Sequence, residues 1–251
     1  MPRPISFRPA AACALALLVS LCVAAPAVAK GPKVDLRVVG AGGKVLAEKS
    51  LRAGSASVKT SPQATCFGAG TGGSGKSVKV PGPTPLGALI RASKSAAALK
   101  PLRISDHFDF GLALCGVGKS VAKGSASWYL KVNHESPSLG GDSVRLKAGD
   151  EVLWDLAPSF PYPDELALVA PDRVKRGAPF GVRVFSYDDR GKKSPVPGAK
   201  VKGAMSPTAA NGRTTVVLNK PARLIARHDK DIPSNTEAVC VGGKCPRGSG
   251  R

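Results

Sequence analysis

Short runs of alternating apolar and polar residues, broken by glycine- and proline-rich turns, fill most of the chain after residue 30 and predict a mainly β protein. Val34 to Val39 reads as a strand, Gly40-Ala41-Gly42-Gly43 as a turn and Val45 to Leu51 as a second strand, so the first elements form a hairpin. The period then changes. Thr84-Pro85 opens a helix, with threonine as cap and proline at the first helical position. Leu86, Leu89 and Ile90 line one face of that helix, and alanines carry it on towards Leu99. Strands resume at Leu102 to Ser105, Gly111 to Cys115, Trp128 to Asn133 and Val152 to Leu156.

Pro158-Ser159-Phe160-Pro161-Tyr162-Pro163 interrupts this order. Proline removes backbone donors and stiffens the chain, so residues 159–165 read as a short Pro-rich linker. Beyond it, Leu166 to Val169, Phe180 to Tyr187, Val201, Thr214 to Leu218, Leu224 to Arg227 and Ala238 to Val241 are short strands at turn-punctuated intervals, the pattern of a β-sandwich. The expected fold is α+β with one main helix over residues 30–158, then an all-β sandwich over 166–242 and a flexible basic tail over 243–251.

Trp128-Tyr129-Leu130-Lys131-Val132-Asn133-His134, Gly140-Gly141-Asp142 and the run from Lys147 to Trp154 resemble the small β-grasp module at the C-terminal end of transcobalamins, which also occurs as a domain of unknown function in secreted bacterial proteins. The resemblance implies a β-grasp for residues 30–158. In transcobalamins the related domain closes over cobalamin held against a large helical barrel, and this chain has no barrel. Further on, Asp188-Asp189-Arg190-Gly191, Pro197-Gly198-Ala199-Lys200-Val201 and Ala210-Asn211-Gly212-Arg213 resemble the immunoglobulin-like or carboxypeptidase-regulatory-like modules of bacterial surface proteins, which are spacers or adhesive units.

The first residues place the product. Arg3 and Arg8 give a positive start, Ala10 to Val23 is apolar, and Ala27-Val28-Ala29 has the small-x-small form of a signal-peptidase site, so residues 1–29 read as a signal peptide cleaved between Ala29 and Lys30. The apolar run is shorter than the ~20 residues that span a bilayer, and no later segment is long and apolar enough to serve as an anchor once the signal is removed. Cys13 and Cys22 leave with the signal. Cys66, Cys115, Cys240 and Cys245 remain, an even number in an export context, which favours disulfides. Of the three pairings, the cheapest joins Cys240 to Cys245 locally and Cys66 to Cys115 across the first domain. Zinc is the rival reading of the Cys240–Cys245 spacing, but no second close pair accompanies it and His228 stands alone.

With 37 basic and 17 acidic residues the chain carries +20. The surplus is spread: Lys30 to Pro158 holds 18 basic against 9 acidic residues, and Ser159 to Arg251 holds 17 against 8. Dedicated nucleic-acid domains concentrate their basic residues and interleave aromatics for stacking; here aromatics are scarce and no basic run exceeds two. Attraction to anionic cell-wall or extracellular polymers, lipid surfaces or a surface protein fits the charge better than nucleic acid, but a generally basic solvated surface explains it more simply than a dedicated site.

Gly70-Thr71-Gly72-Gly73-Ser74-Gly75-Lys76-Ser77 matches the P-loop pattern letter for letter. That chemistry needs a buried strand before the loop and a helix after it, whereas Pro81 and Pro83 deny a helix its first turns. The segment therefore reads as a loop. His107, His134 and His228 are scattered, Asp150-Glu151 and Asp188-Asp189 are neighbours that point to opposite faces or sit in turns, and Asp229-Lys230-Asp231 offers too few oxygens for calcium. Trp128 and Trp154 read either as stacking platforms or as core. No catalytic residue, metal or cofactor is expected. The chain reads as a secreted or cell-surface non-catalytic binding module, with cobalamin-like small-molecule binding, aided by a partner protein, as the alternative.

Overall fold

A computed structural model describes residues 31–247. The expected signal peptide, its Ala29–Lys30 cleavage site and residues 248–251 of the expected tail lie outside the described residues.

Strands β1 (Lys33–Gly40) and β2 (Lys44–Arg52) form an antiparallel hairpin, with Val34 opposite Leu51. Gly42 and Gly43 take its turn at φ +67°, a conformation glycine adopts without a Cβ penalty. A ribbon of β3 (Ala56–Lys59) and β4 (Ser77–Val80), which the hydrophobic pattern did not predict, precedes helix α1 (Pro85–Ser93). Thr84 Oγ1 accepts the Gly87 amide at 3.1 Å, satisfying one orphan donor of the first turn. The helix stops at Ser93 instead of running on towards Leu99. Ser93 Oγ donates to the Ile90 carbonyl, and the chain reaches Leu99 through a separate 3-10 turn at Ala97–Leu99.

Next come β5 (Leu102–Phe108), β6 (Gly111–Val117) and β7 (Ser120–Val121), an antiparallel sheet, and then β8 (Ser127–Val132) and β9 (Glu151–Ala157). The principal sheet of this half runs β2-β1-β9-β8, with β1 and β9 parallel and β8 at the edge. Alternation puts Val34, Leu36, Val38, Val152 and Trp154 on one face, where they pack with Leu86, Leu89 and Ile90 of α1.

The second half is all strand: β10 (Glu165–Val169), β11 (Arg173–Val174), β12 (Pro179–Tyr187), β13 (Lys193–Pro195), β14 (Lys200–Val201), β15 (Arg213–Val217), β16 (Ala222–Leu224), β17 (Ala226–Arg227) and β18 (Glu237–Val241). β12 is paired with β10, β13 and β15, and β18 with β11 and β16. Leu166, Leu168, Val182, Val184, Val216, Leu224 and Val239 form its own hydrophobic cluster. The run expected as one strand from Leu224 to Arg227 is two, broken at Ile225. The fold is thus mainly β with a single α-helix among the described residues.

The segment between the halves is packed down, and strand begins inside the expected linker, at Glu165. Tyr162 stacks on Tyr129 with ring centroids 4.1 Å apart, and Val39, Tyr129, Leu153, Ala157 and Ile232 form a third apolar cluster. Around that cluster lies a seam of buried charge. The Arg37 guanidinium pairs with the Glu165 carboxylate and also donates to the Pro233 carbonyl. His134 Nδ1 lies 3.1 Å from the other Glu165 oxygen, and its ring stacks on Tyr187 at 3.8 Å. Lys131, 1% exposed, donates to the carbonyls of Tyr187 (2.8 Å) and Asp188 (2.7 Å). Burial alone would raise the Glu165 carboxyl, but the His134 hydrogen bond and the Arg37 and Lys131 charges hold it below the usual range. Burial holds the Lys131 ammonium below the ordinary lysine value, against nearby carboxylates led by Glu165.

Asp155 belongs to the same sheet face and is 4% exposed. Burial pushes its carboxyl up to about 7, with Arg37 pulling the other way. The folded state therefore keeps this proton where the unfolded chain, with a pKa of about 4, has released it. Its contribution favours folding most at low pH and is lost as pH rises from the unfolded value through about 7. Asp155→Asn should leave the melting temperature unchanged at pH 4 and raise it at pH 8. Equal shifts at both pH values, measured by thermal unfolding, would contradict this account.

Candidate functional site

The free edge of β8 borders a groove of 310 Å³ whose other side is β6. Leu112, Leu114, Trp128, Leu130 and Trp154 line it, and Phe67, Phe110 and Leu139 stand at its rim, 59%, 70% and 60% exposed. Large apolar side chains gathered in the open around a concave surface mark interaction sites more often than scattered ones do.

Each rim residue has a local cause for its place. Phe67 follows Cys66, which is bonded to Cys115 of β6, with 5.3 Å between their Cα atoms. Phe110 caps the β5–β6 hairpin and stacks on Phe108 at 4.8 Å, while Phe67 meets Phe108 edge-on at 5.2 Å. The start of β6 is tied across the groove, because the Leu112 amide donates to Asp142 Oδ2 at 2.9 Å. The Gly140-Gly141-Asp142 motif gains a physical reason here. A Cβ on Gly141 would come within 2.5 Å of the Trp154 ring, and the Gly141 carbonyl accepts the Leu86 amide at 2.7 Å, so only glycine lets this loop lie flat on the indole.

Both tryptophans pack with the core of this half, Trp154 within it and Trp128 against it. Trp154 is 5% exposed in the core beneath the groove, and its Nε1 donates to the Pro85 carbonyl at 3.4 Å. Trp128 is half-buried on the groove wall, and its Nε1 is buried without an acceptor. A donor left in that state costs about 1–3 kcal/mol.

The other candidates are consumed structurally. The P-loop-like segment is preceded by turns and followed by β4, a strand and not a helix. The Ser74 amide and hydroxyl both donate to Asp106, at 2.6 Å each, so a carboxylate already takes the donors, and these bonds hold Asp106 below the usual carboxylate range. His134 belongs to the buried seam. His228 Nδ1 lies 2.8 Å from Asp231 and its Nε2 3.5 Å from Asp229, and His107 meets the Phe108 ring edge-on at 5.2 Å. Asp150 accepts the Lys147 amide, Glu151 lies 3.7 Å from His134, Asp188 accepts the Arg190 and Lys192 amides, and Asp189 accepts the Tyr129 hydroxyl. Among the described residues no group of three His, Cys, Asp or Glu side chains has the geometry to hold a metal. Cys240 is bonded to Cys245, with 4.1 Å between Cα atoms.

Sequence reasoning reached Trp128 and Trp154 but not Phe67, Phe110, Leu139 or Tyr162, which sit in turns and loops outside any periodic run. The available signal was the placement of phenylalanine beside a cysteine and beside the Gly111 turn. No protein-family model, no curated protein and no solved structure matches the chain.

Proposed function

We propose that this chain is an exported, non-catalytic binding protein, a β-grasp unit followed by an immunoglobulin-like unit, that takes an apolar small molecule in the aromatic groove. The single observation carrying the reading is the groove itself: three exposed large apolar side chains around a concavity walled by Leu114, Trp128 and Leu130. A ligand covering Phe67, Phe110 and Leu139 removes their apolar surface from water, each contact contributing roughly 1–2 kcal/mol. Support for the β-grasp half comes from the hairpin, the helix on one sheet face and the parallel β1–β9 pair. The two cysteine pairs at bonding distance fit an oxidising compartment, and no helix among the described residues is long and apolar enough to cross a membrane.

The test uses N-phenyl-1-naphthylamine, a neutral fluorescent probe that the protein's positive charge cannot attract, with cyanocobalamin as a second titrant. Saturable probe binding that quenches tryptophan emission and weakens about tenfold in Phe67→Ala/Phe110→Ala is the expected result. Both side chains are exposed, so the variant should fold. Unsaturable binding, or binding indifferent to the two substitutions, would remove the groove as the site. Displacement of the probe by cyanocobalamin would identify the transcobalamin-like ligand.

A further inference from the structure

We propose that the open face of the second-half sheet, around Arg183, Phe185, Lys193 and Arg213, docks an acidic polysaccharide. This surface is separate from the aromatic groove and does not depend on it.

Alternation along β12 sends Val182 and Val184 into the core and turns Arg183, Phe185 and Tyr187 to the other face. The seam with the first half covers the Tyr187 end of that face, where His134 stacks. Lys193 of β13, paired with Tyr187, is exposed at the border of that cover. The other end is open: Arg213 and Thr215 are exposed, Val169 is 53% exposed, and a Cβ added to Gly181 would meet nothing within 4 Å.

The charge on this face is concentrated. Arg183 and Arg213 stand directly opposite one another across β12 and β15, and like charges in that relation destabilise a sheet. Arg183 Cζ lies 4.5 Å and Lys193 Nζ 4.0 Å from the centre of the Phe185 ring, which brings both cations within a Debye length of each other. No carboxylate among the described residues forms an ion pair with any of the three. The Arg183 Nε donates to the Asn211 carbonyl at 3.1 Å, which fixes the guanidinium over the ring. A bound anion offsets their mutual repulsion.

The chemistry of the ligand follows from the same geometry. An arginine fork matches a carboxylate by two parallel hydrogen bonds, and two strand-paired arginines offer that match twice at neighbouring positions. The exposed Val169, opposite Arg183 on β10, gives the apolar surface on which the C–H face of a sugar ring can lie. A single-stranded nucleic acid would need a free aromatic face for base stacking, and the Phe185 ring is already covered by two cations. A linear glycan bearing carboxylates satisfies both requirements.

Polygalacturonate tests this, with neutral dextran and a single-stranded DNA oligomer of equal charge number as comparators. Arg183→Ser/Arg213→Ser should weaken polygalacturonate binding at least about tenfold, as expected for two charge-assisted contacts. Lys123→Ser/Lys147→Ser removes the same charge from exposed positions elsewhere and should weaken it less than about twofold. Dextran should not bind, and the naphthylamine probe should bind both variants as it binds the parent. Equal losses in the two variants would show that net charge alone attracts the polymer and would overturn the proposal. So would DNA that binds more tightly than polygalacturonate and is lost with the arginines, since the face would then be a nucleic-acid surface.

Discussion

Glu165→Ala should destabilise the protein by about 3–5 kcal/mol, the cost of stranding a buried charge. Arg37 is 8% exposed and Glu165 2%, and the pair closes the seam between the two halves. Removing the carboxylate leaves a guanidinium out of water with only the Pro233 carbonyl and a long 3.4 Å contact to the Leu166 carbonyl, and takes away the His134 acceptor as well. The loss therefore exceeds the worth of the pair itself. Arg37→Met/Glu165→Leu, which removes both charges and keeps apolar bulk, should recover most of the stability, because well-packed apolar pairs often replace buried ion pairs without loss. Urea unfolding of the three proteins measures this. A cost below about 1 kcal/mol for Glu165→Ala, the range of an exposed pair, would mean that water reaches the seam. With the seam broken, each half still has its own hydrophobic cluster, so Glu165→Ala should also broaden the transition or split it in two.

Cys66→Ala/Cys115→Ala should cost about 4 kcal/mol on the chain-entropy account, because the bond closes a loop of 49 residues. Cys240→Ala/Cys245→Ala, closing only five, should cost about 2 kcal/mol. The first variant should carry a second effect that the other lacks. Cys66 holds Phe67 against β6 at the groove rim, so naphthylamine binding should weaken along with stability, even under conditions where the variant remains folded. Loss of stability with full probe affinity would show that Phe67 is placed by its aromatic neighbours and not by the disulfide.

Local chemistry was legible in the sequence. The hairpin, the Thr84-Pro85 helix start and most strands depend on interactions between neighbours in the chain, and period-2 alternation reports them directly. The extra strands β3, β4, β7, β11 and β13 are two to four residues long, too short for a period to show, so their pairing is set by partners elsewhere in the chain. The groove escaped for a related reason: its rim lies in turns, where position is set by the Cys66–Cys115 bond and the Asp142 tether.

What alternation cannot report is whether the polar side of a strand meets water. Arg37 on β1, Lys131 on β8 and Asp155 on β9 occupy the positions that a half-solvated sheet would fill with charge. Docking of the second half buries all three, and the Pro-rich segment that reads as a short, semi-rigid linker is packed down, Tyr162 on Tyr129 and Glu165 paired with Tyr187. Residues far apart in the chain supply the partners, Glu165 for Arg37 and the Tyr187 and Asp188 carbonyls for Lys131. The longer strands and the apolar face of each follow from the chain's own period. Which polar face is sealed as a charged seam and which, around Arg183 and Arg213, stays open depends on contacts between residues far apart in the chain.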